Sequence, residues 1–329
     1  MRSLRTIAVD WSGRKQGAAR HIWAAEVAAG ELVCLSNGRA AAELAGWLVD
    51  QAASGDELAV GLDFAFSLPA WYLRSLGVAG APELWDAAAV DGESWLSACR
   101  APFWGRKGRA KPAGQEHFRR TELEIAPVGP GAIRPKSVFQ IGGAGAVGTG
   151  SIRGMALLAR LRREGFSIWP FDRAGWPRVV EIYPRLLTGP VDKSVQSART
   201  DYLTRLGWPA DPALRERAAS TEDAFDAAVS ALGMDEHQED LAAPPPDLTL
   251  PYGPRPEQVV DLRFPAAVPG RAAPLIVLIH GGFWRPAYDR THLGPMGHAL
   301  AAAGYMVAVP EYRRAGMAEE GWTGARSAA

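Results

Sequence analysis

Asp10, Asp63, Glu181, Asp223 and Asp226 are the residues of this 329-residue chain whose types and positions could do chemistry together. Asp10 closes the apolar run Thr6-Ile7-Ala8-Val9, and Asp63 closes a second run that begins at Leu58. Glu181 lies within Val179-Val180-Glu181-Ile182-Tyr183. Asp223 and Asp226 are three residues apart in a stretch with helical spacing, so they share a face. Clustered carboxylates hold Mg²⁺ or Mn²⁺, hard cations that take oxygen ligands. Two such ions about 4 Å apart hydrolyse phosphodiesters, one activating water and the other stabilising the leaving oxygen. On this reading Asp10, Asp63, Glu181 and Asp226 are candidate catalytic residues, and all five acids are candidate metal ligands. Each acid also has a structural explanation. Asp10 precedes the turn-like Ser12-Gly13, and Glu222 and Asp223 suit the positive end of a helix. Asp63 is the hardest to explain that way, since apolar residues flank it on both sides.

The elements that must position these acids follow from periodicity. Strands are expected over 6–9, 21–27, 31–35, 58–62, 137–141, 166–171 and 179–183. Helices are expected over 40–53, 151–164, 200–206 and 221–232, the last entered through Ser220 or Thr221 as a cap. Pro69 is placed to begin a helix. Residues 100–136 read as irregular. This segment carries Arg100, Arg106, Lys107, Arg109, Lys111, Arg119 and Arg120, with Phe103 and Trp104 interleaved. Such a mixture can hold phosphates and stack on bases, or it can be a solvated loop. Arg119, Arg120 and Lys136 are the candidate phosphate contacts, with a nucleic acid or another phosphodiester as the partner.

Several segments resemble one family in order. They are Val9-Asp10-Trp11-Ser12-Gly13, Gly61-Leu62-Asp63-Phe64-Ala65-Phe66-Ser67, Phe118-Arg119-Arg120-Thr121-Glu122, Gly142-Gly143-Ala144-Gly145-Ala146-Val147-Gly148, Val180-Glu181-Ile182-Tyr183-Pro184 and Glu222-Asp223-Ala224-Phe225-Asp226-Ala227. Together they are similar to the predicted ribonuclease-H-like nucleases of domain-of-unknown-function family 429, over about residues 4–240. The resemblance implies an α/β fold, a mixed sheet with flanking helices and with the acids converging at its centre. The Asp-x-x-Asp-Ala helix also resembles that of Holliday-junction resolvases. The nuclease activity of such a family is inferred from fold alone. A catalytically silent nucleic-acid-binding or regulatory module on the same fold therefore stays open beside the enzyme.

Gly143, Gly145 and Gly148 form a literal GxGxxG after an expected strand, with Asp172 ending the next one. That is a dinucleotide fingerprint by pattern. It sits mid-chain, however, behind a polar strand, and it coincides with the nuclease-like pattern. A glycine-rich turn allowing close backbone packing is the reading preferred here.

Pro244-Pro245-Pro246 cannot continue a helix. The expected organisation is a ribonuclease-H-like domain over 1–243, a linker over 244–250 and a further piece over 251–329. In that piece strands are expected over 258–264, 275–279 and 306–309, and a helix over 292–303. Leu275-Ile276-Val277-Leu278-Ile279-His280-Gly281-Gly282-Phe283-Trp284, with Tyr252-Gly253-Pro254 and Pro310-Glu311-Tyr312-Arg313-Arg314, resembles the front of an α/β-hydrolase, especially esterases similar to kynurenine formamidase. The resemblance implies that His280, Gly281 and Gly282 belong to an oxyanion loop. No G-x-S-x-G nucleophile elbow occurs anywhere in the sequence. The piece is expected to be an incomplete and inactive hydrolase fragment with a vestigial oxyanion loop.

Composition constrains the rest. Hydrophobic residues make up 47% and charged residues 22%, which suits a packed core. The formal net charge is +0, so any affinity for nucleic acid must come from a local patch. Cys34 and Cys99 are isolated, which argues against a disulfide framework or zinc ribbon and fits a reducing cytoplasm. No signal sequence or membrane span is expected.

Overall fold

The structure, a computed structural model of the chain, describes residues 4–114, 116–125, 127–128, 133–143, 145–172, 175–238, 241, 244–255, 257–266, 272–280 and 289–313. It divides into two compact units, Met1–Gln238 and Glu239–Ala329. Both contain a mixed sheet with helices packed against it.

The first unit has six strands, β1 (Leu4–Asp10), β2 (Trp23–Ala28), β3 (Glu31–Asn37), β4 (Glu57–Leu62), β5 (Ser167–Ile168) and β6 (Arg178–Glu181). Their order is β3-β2-β1-β4-β6-β5. The first three form an antiparallel meander, and β1, β4, β6 and β5 run parallel. Helices α1 (Ala41–Ala52), α2 (Ala70–Leu76), α3 (Ala81–Ala98), α4 (Arg120–Glu124) and α5 (Val147–Arg163) lie before β5. Helices α6 (Pro184–Thr188), α7 (Gln196–Leu206), α8 (Pro212–Ala219) and α9 (Glu222–Glu236) follow β6.

Burial explains the central strands. In β4 every residue from Leu58 to Leu62 is buried, as expected of a parallel strand covered on both faces. On β1 the odd positions Ile7 and Val9 join one large core with Leu44 of α1, Leu84 and Trp85 of α3, and Ile152, Met155 and Leu158 of α5. Side chains alternate along a strand, so Thr6, Ala8 and Asp10 face the other way. That face meets α9, because Thr6 Oγ1 donates to the Ala231 carbonyl at 3.1 Å. Small residues let α9 approach closely. A Cβ on Gly61 would come within 2.5 Å of Met234 Sδ. Helices α6 and α8 pack on α9 from outside, which buries it almost all round.

Several expectations need correction. Residues 137–141 are a turn rather than a strand: Gln140 N donates to the Ser137 carbonyl, and Phe139 N to Ser137 Oγ. Val138, Phe139 and Ile141 are buried there, which produces the strand-like pattern. The strand expected over 166–171 is only Ser167–Ile168, because the Asp172 carboxylate accepts from Ile168 N and folds the chain back. Helix α3 was not anticipated, although Leu84, Trp85, Ala88, Gly92 and Leu96 are buried at helical spacing. Phe103 does not offer a stacking face: it is 3% exposed and packs edge-on against Tyr72 and Phe139.

The second unit holds β7 (Leu248–Pro251), β8 (Val259–Arg263), β9 (Leu275–Val277) and β10 (Met306–Pro310), in the order β7-β8-β10-β9. The last pair is parallel and the other pairs are antiparallel. Helix α10 (Gly294–Ala302) packs on β10. The expected linker over 244–250 is part of this unit. Its prolines cannot donate but still accept, and Arg263 Nη1 bonds the Pro244 and Pro245 carbonyls at 2.7 and 3.2 Å. Among the described residues no helix is long and apolar enough to cross a membrane.

Candidate active site

Strand register brings three of the acids to one edge of the first sheet. Val9 of β1 lies opposite Leu62 of β4, and Leu62 lies opposite Glu181 of β6. Asp63 N continues the ladder by donating to the Val9 carbonyl at 3.2 Å. Asp10, Asp63 and Glu181 therefore stand at the C-terminal ends of three adjacent parallel strands. In open α/β sheets this is the edge where ligands bind. Helix α9 supplies the other two acids. Its cap is Thr221, whose hydroxyl accepts from Ala224 N at 3.0 Å.

The carboxyls sense one another. Asp10 is held well above the usual carboxylate range, first by burial and then by the charges of Asp63, Asp226 and Asp223, with Lys193 opposing. Asp63 is pushed up to about 7 by burial, then by Asp226 and Glu181, again against Lys193. Asp226 is raised by burial, and Lys193 and Arg185 pull it back. Like charges crowded in a poorly solvated place give this signature.

Three of the acids also have nearby cations or a histidine. Lys193 Nζ hydrogen-bonds Asp226 Oδ2. Arg119 grips Glu181 with both terminal nitrogens, Nη1 to Oε2 at 2.8 Å and Nη2 to Oε1 at 2.5 Å. The backbone N–H of Phe66 donates to the same carboxylate. Glu122 fixes Arg119 in turn, accepting from its Nε and its backbone N–H, each at 2.8 Å. Burial opposes the charge of Arg119, yet Glu181 and Glu122 outweigh it and hold the guanidinium above its ordinary pKa. Asp223 lies 3.2 Å from His21 Nδ1. Asp226 Oδ1 is buried with no hydrogen-bond partner.

A cleft of about 780 Å³ opens beside this edge, with Asp63, Glu181, Arg119, Arg14, Lys136 and Tyr183 on its walls. Its glycine-rich side is the turn before α5. At Gly145, φ is +73°, and a Cβ there would meet Lys136 Nζ at 1.9 Å. A Cβ on Gly148 would lie 2.1 Å from the Val138 carbonyl oxygen. Gly145 and Gly148 serve close packing, Gly143 takes a positive φ, and no strand directly precedes them among the described residues, so the dinucleotide fingerprint lacks its context.

The candidate phosphate contacts separate. Lys136 lines the cleft. Arg119 is committed to carboxylates instead of being open to phosphate, because Glu181 and Glu122 match its planar fork. Arg120 is an exposed first residue of α4 and is not on the cleft wall. Lys193, Arg14, His21 and Tyr183 were not anticipated. Tyr183 and Arg14 lie in or beside segments that carry an acid, so their neighbourhood was a signal, whereas Lys193 and His21 are brought to the acids only by the tertiary fold.

In the second unit His280 is 2% exposed, and its Nε2 lies 2.9 Å from Glu311 Oε1. It stacks flat on Tyr312, with ring centroids 4.1 Å apart. Gly281 and Gly282 lie outside the described residues.

The donor set consists of oxygen, with one buried carboxylate oxygen unused, which fits a hard divalent cation in kind. Among the described residues, however, no three His, Cys, Asp or Glu side chains already stand in an arrangement that could hold a metal ion. In comparisons with known proteins the chain matches no family model, no curated protein and no solved structure.

Proposed function

We propose that the first unit is a metal-dependent nuclease or phosphodiesterase of ribonuclease-H-like fold. The observation that carries this reading is geometric: strand register sets Asp10, Asp63 and Glu181 at the C-terminal ends of three adjacent parallel strands, and Asp226 of α9 keeps one buried oxygen without a hydrogen-bond partner. Asp10, Asp63 and Asp226 are all raised, by burial first, and such perturbed groups mark functional sites; of these three only Asp63 reaches the cleft wall. The mixed sheet, with an antiparallel meander beside parallel strands, supports the fold that the motif resemblance implies.

On this reading Asp10, Asp63 and Asp226 would hold Mg²⁺ or Mn²⁺, with Asp223, beside His21, in support. The ion supplies Lewis-acid activation of water and charge stabilisation at the phosphoryl group. Lys136 would receive a substrate phosphate from across the cleft. Glu181, gripped by Arg119, would shape the wall beside Asp63.

The test is cleavage of labelled single- and double-stranded DNA and RNA, and of an activated phosphodiester, with and without Mn²⁺. Metal-dependent cleavage in the wild type, lost in Asp63→Asn, is expected. A wild type that neither cleaves any of these nor responds calorimetrically to Mn²⁺ would overturn the reading.

A second reading has its own observation. Lys193 and Arg119 already neutralise two of the acids, as in a module that binds nucleic acid without cutting it. Such a module would retard nucleic acid in a gel equally with EDTA and with Mn²⁺, and leave it intact.

A further inference from the structure

Lys193 belongs neither to the sheet nor to α9, yet its ammonium sits among the acids those elements supply. We propose that Lys193 is a tethered counter-ion, whose ammonium occupies the place of a divalent cation at Asp226 and must swing away for the ion to bind. This inference rests on the reading that Asp10, Asp63 and Asp226 hold Mg²⁺ or Mn²⁺.

The placement of Lys193 is built into the fold. It follows α6, on the short connection to α7. Arg185 Nη1 clamps that connection by donating to the Val191 carbonyl at 2.8 Å and to the Gly189 carbonyl at 3.3 Å. Arg199, which is 4% exposed, donates to the Lys193 carbonyl itself, and its Nε anchors to the Ala219 carbonyl at 2.9 Å. The backbone at 193 is thus fixed between two arginines. The side chain is not fixed in the same way, being a four-carbon stem ending in a point charge.

The ammonium is nearly buried with its partner, the two side chains being 13% and 10% exposed. A desolvated ammonium needs compensating charge. It finds that charge in Asp226 by contact and in Asp10 and Asp63 through space. Asp226 Oδ1, buried and unpartnered, is the second observation: the carboxylate keeps an acceptor that the ammonium does not engage. One ammonium satisfies one oxygen of this carboxylate. A divalent ion shared with Asp10 and Asp63 could satisfy more.

The contrast with Arg119 indicates which cation yields. Arg119 is planar, bidentate on Glu181 and doubly held by Glu122. Breaking that fork costs several charged hydrogen bonds at once. Lys193 holds Asp226 through one donor on a flexible stem, so it is the contact a metal ion can displace. A corollary is that Glu181 stays with Arg119, and that the ion lies on the side of Asp10, Asp63 and Asp226.

The test is calorimetric titration of the full-length protein with Mn²⁺, comparing wild type, Lys193→Gln and Lys193→Arg. Removing the internal competitor should tighten Mn²⁺ binding about tenfold in Lys193→Gln, whereas Lys193→Arg should bind no more tightly than wild type. Wild-type binding with equal or weaker affinity in a folded Lys193→Gln overturns the counter-ion and leaves the metal site standing. Absence of binding in all three proteins removes both. If repulsion among the acids unfolds Lys193→Gln, millimolar Mn²⁺ should restore its circular dichroism. A variant that stays unfolded in Mn²⁺ also overturns the inference.

Discussion

Asp63 shows how one carboxyl couples chemistry to stability. Its folded-state pKa of about 7 lies far above the ordinary value of 3.8. The native state therefore binds the proton more tightly than the unfolded chain does. The associated stability is fully present below about pH 4 and is lost as the pH rises through about 7. In EDTA the melting temperature of Asp63→Asn should match wild type near pH 4 and exceed it above pH 7, by roughly 2–4 kcal/mol in unfolding free energy. Equal melting at pH 8 would show that burial and the neighbouring acids do not raise Asp63 in this way. Saturating Mn²⁺ should reverse the order, stabilising wild type more than Asp63→Asn above pH 7. Legibility at this scale was uneven. Asp10 and Asp63 could be picked out because charges rarely close apolar runs without reason, and Asp223 and Asp226 because of their helical spacing. Lys193 is 33 residues from Asp226, in a stretch with no periodic or motif signal, and nothing local announces it. The sequence alone suggests that Arg119 faces phosphate. Its bidentate grip on Glu181, 62 residues away, depends on β6 aligning beside β4.

Elements carry the acids only as well as their ends are fixed. Helix α9 starts at a capping Thr221, one turn before Asp226. Thr221→Ala should lower stability by about 1 kcal/mol, a drop of roughly 2–4 °C in melting temperature for a domain of this size. It should weaken Mn²⁺ binding as well, because the first turn sets the position of Asp226. Calorimetry that finds unchanged Mn²⁺ affinity beside a lowered melting temperature would show that the cap matters only to stability. The turn before α5 is tighter still. Gly148→Ala would press a methyl against the Val138 carbonyl and should cost about 2–3 kcal/mol, read as a lowered urea midpoint. Residues 137–141 look like a strand because alternate and adjacent apolar side chains both enter the core. Burial alone cannot tell a buried turn from a buried strand. Helix α9 was legible because cap, acidic first turn and small apolar face agree, whereas α3 lacks a side-chain cap and begins at Gly80.

At the scale of the whole chain, the boundary between units falls after Gln238, several residues ahead of the proline triplet. The proline triplet at 244–246 interrupts helical composition, and inside the second unit its carbonyls serve as hydrogen-bond acceptors for Arg263. Asp10, Asp63, Glu181, Asp223 and Asp226 all lie in the first unit. A chain ending at Gln238 should therefore melt cooperatively and respond to Mn²⁺ as the full chain does. Loss of that response on truncation would tie the site to residues 239–329. In the second unit Leu275 and Val277 of the edge strand β9, 57% and 54% exposed, and Ile279 just beyond it, 71% exposed, offer apolar surface of a kind that invites association. With no G-x-S-x-G in the sequence, turnover of a simple nitrophenyl ester is expected to be absent. Turnover abolished by Gly281→Pro would restore the hydrolase reading.

Asp10 on β1 meets Asp226 on α9 only after more than two hundred intervening residues have been made. At ordinary synthesis rates that takes roughly 10–40 s. During that interval the growing chain already displays β1 and β4, but it has neither the last carboxylate nor the helix that buries them. A partly made chain on the ribosome thus lacks the complete acid set, and whatever those carboxylates do together must wait until the domain is finished.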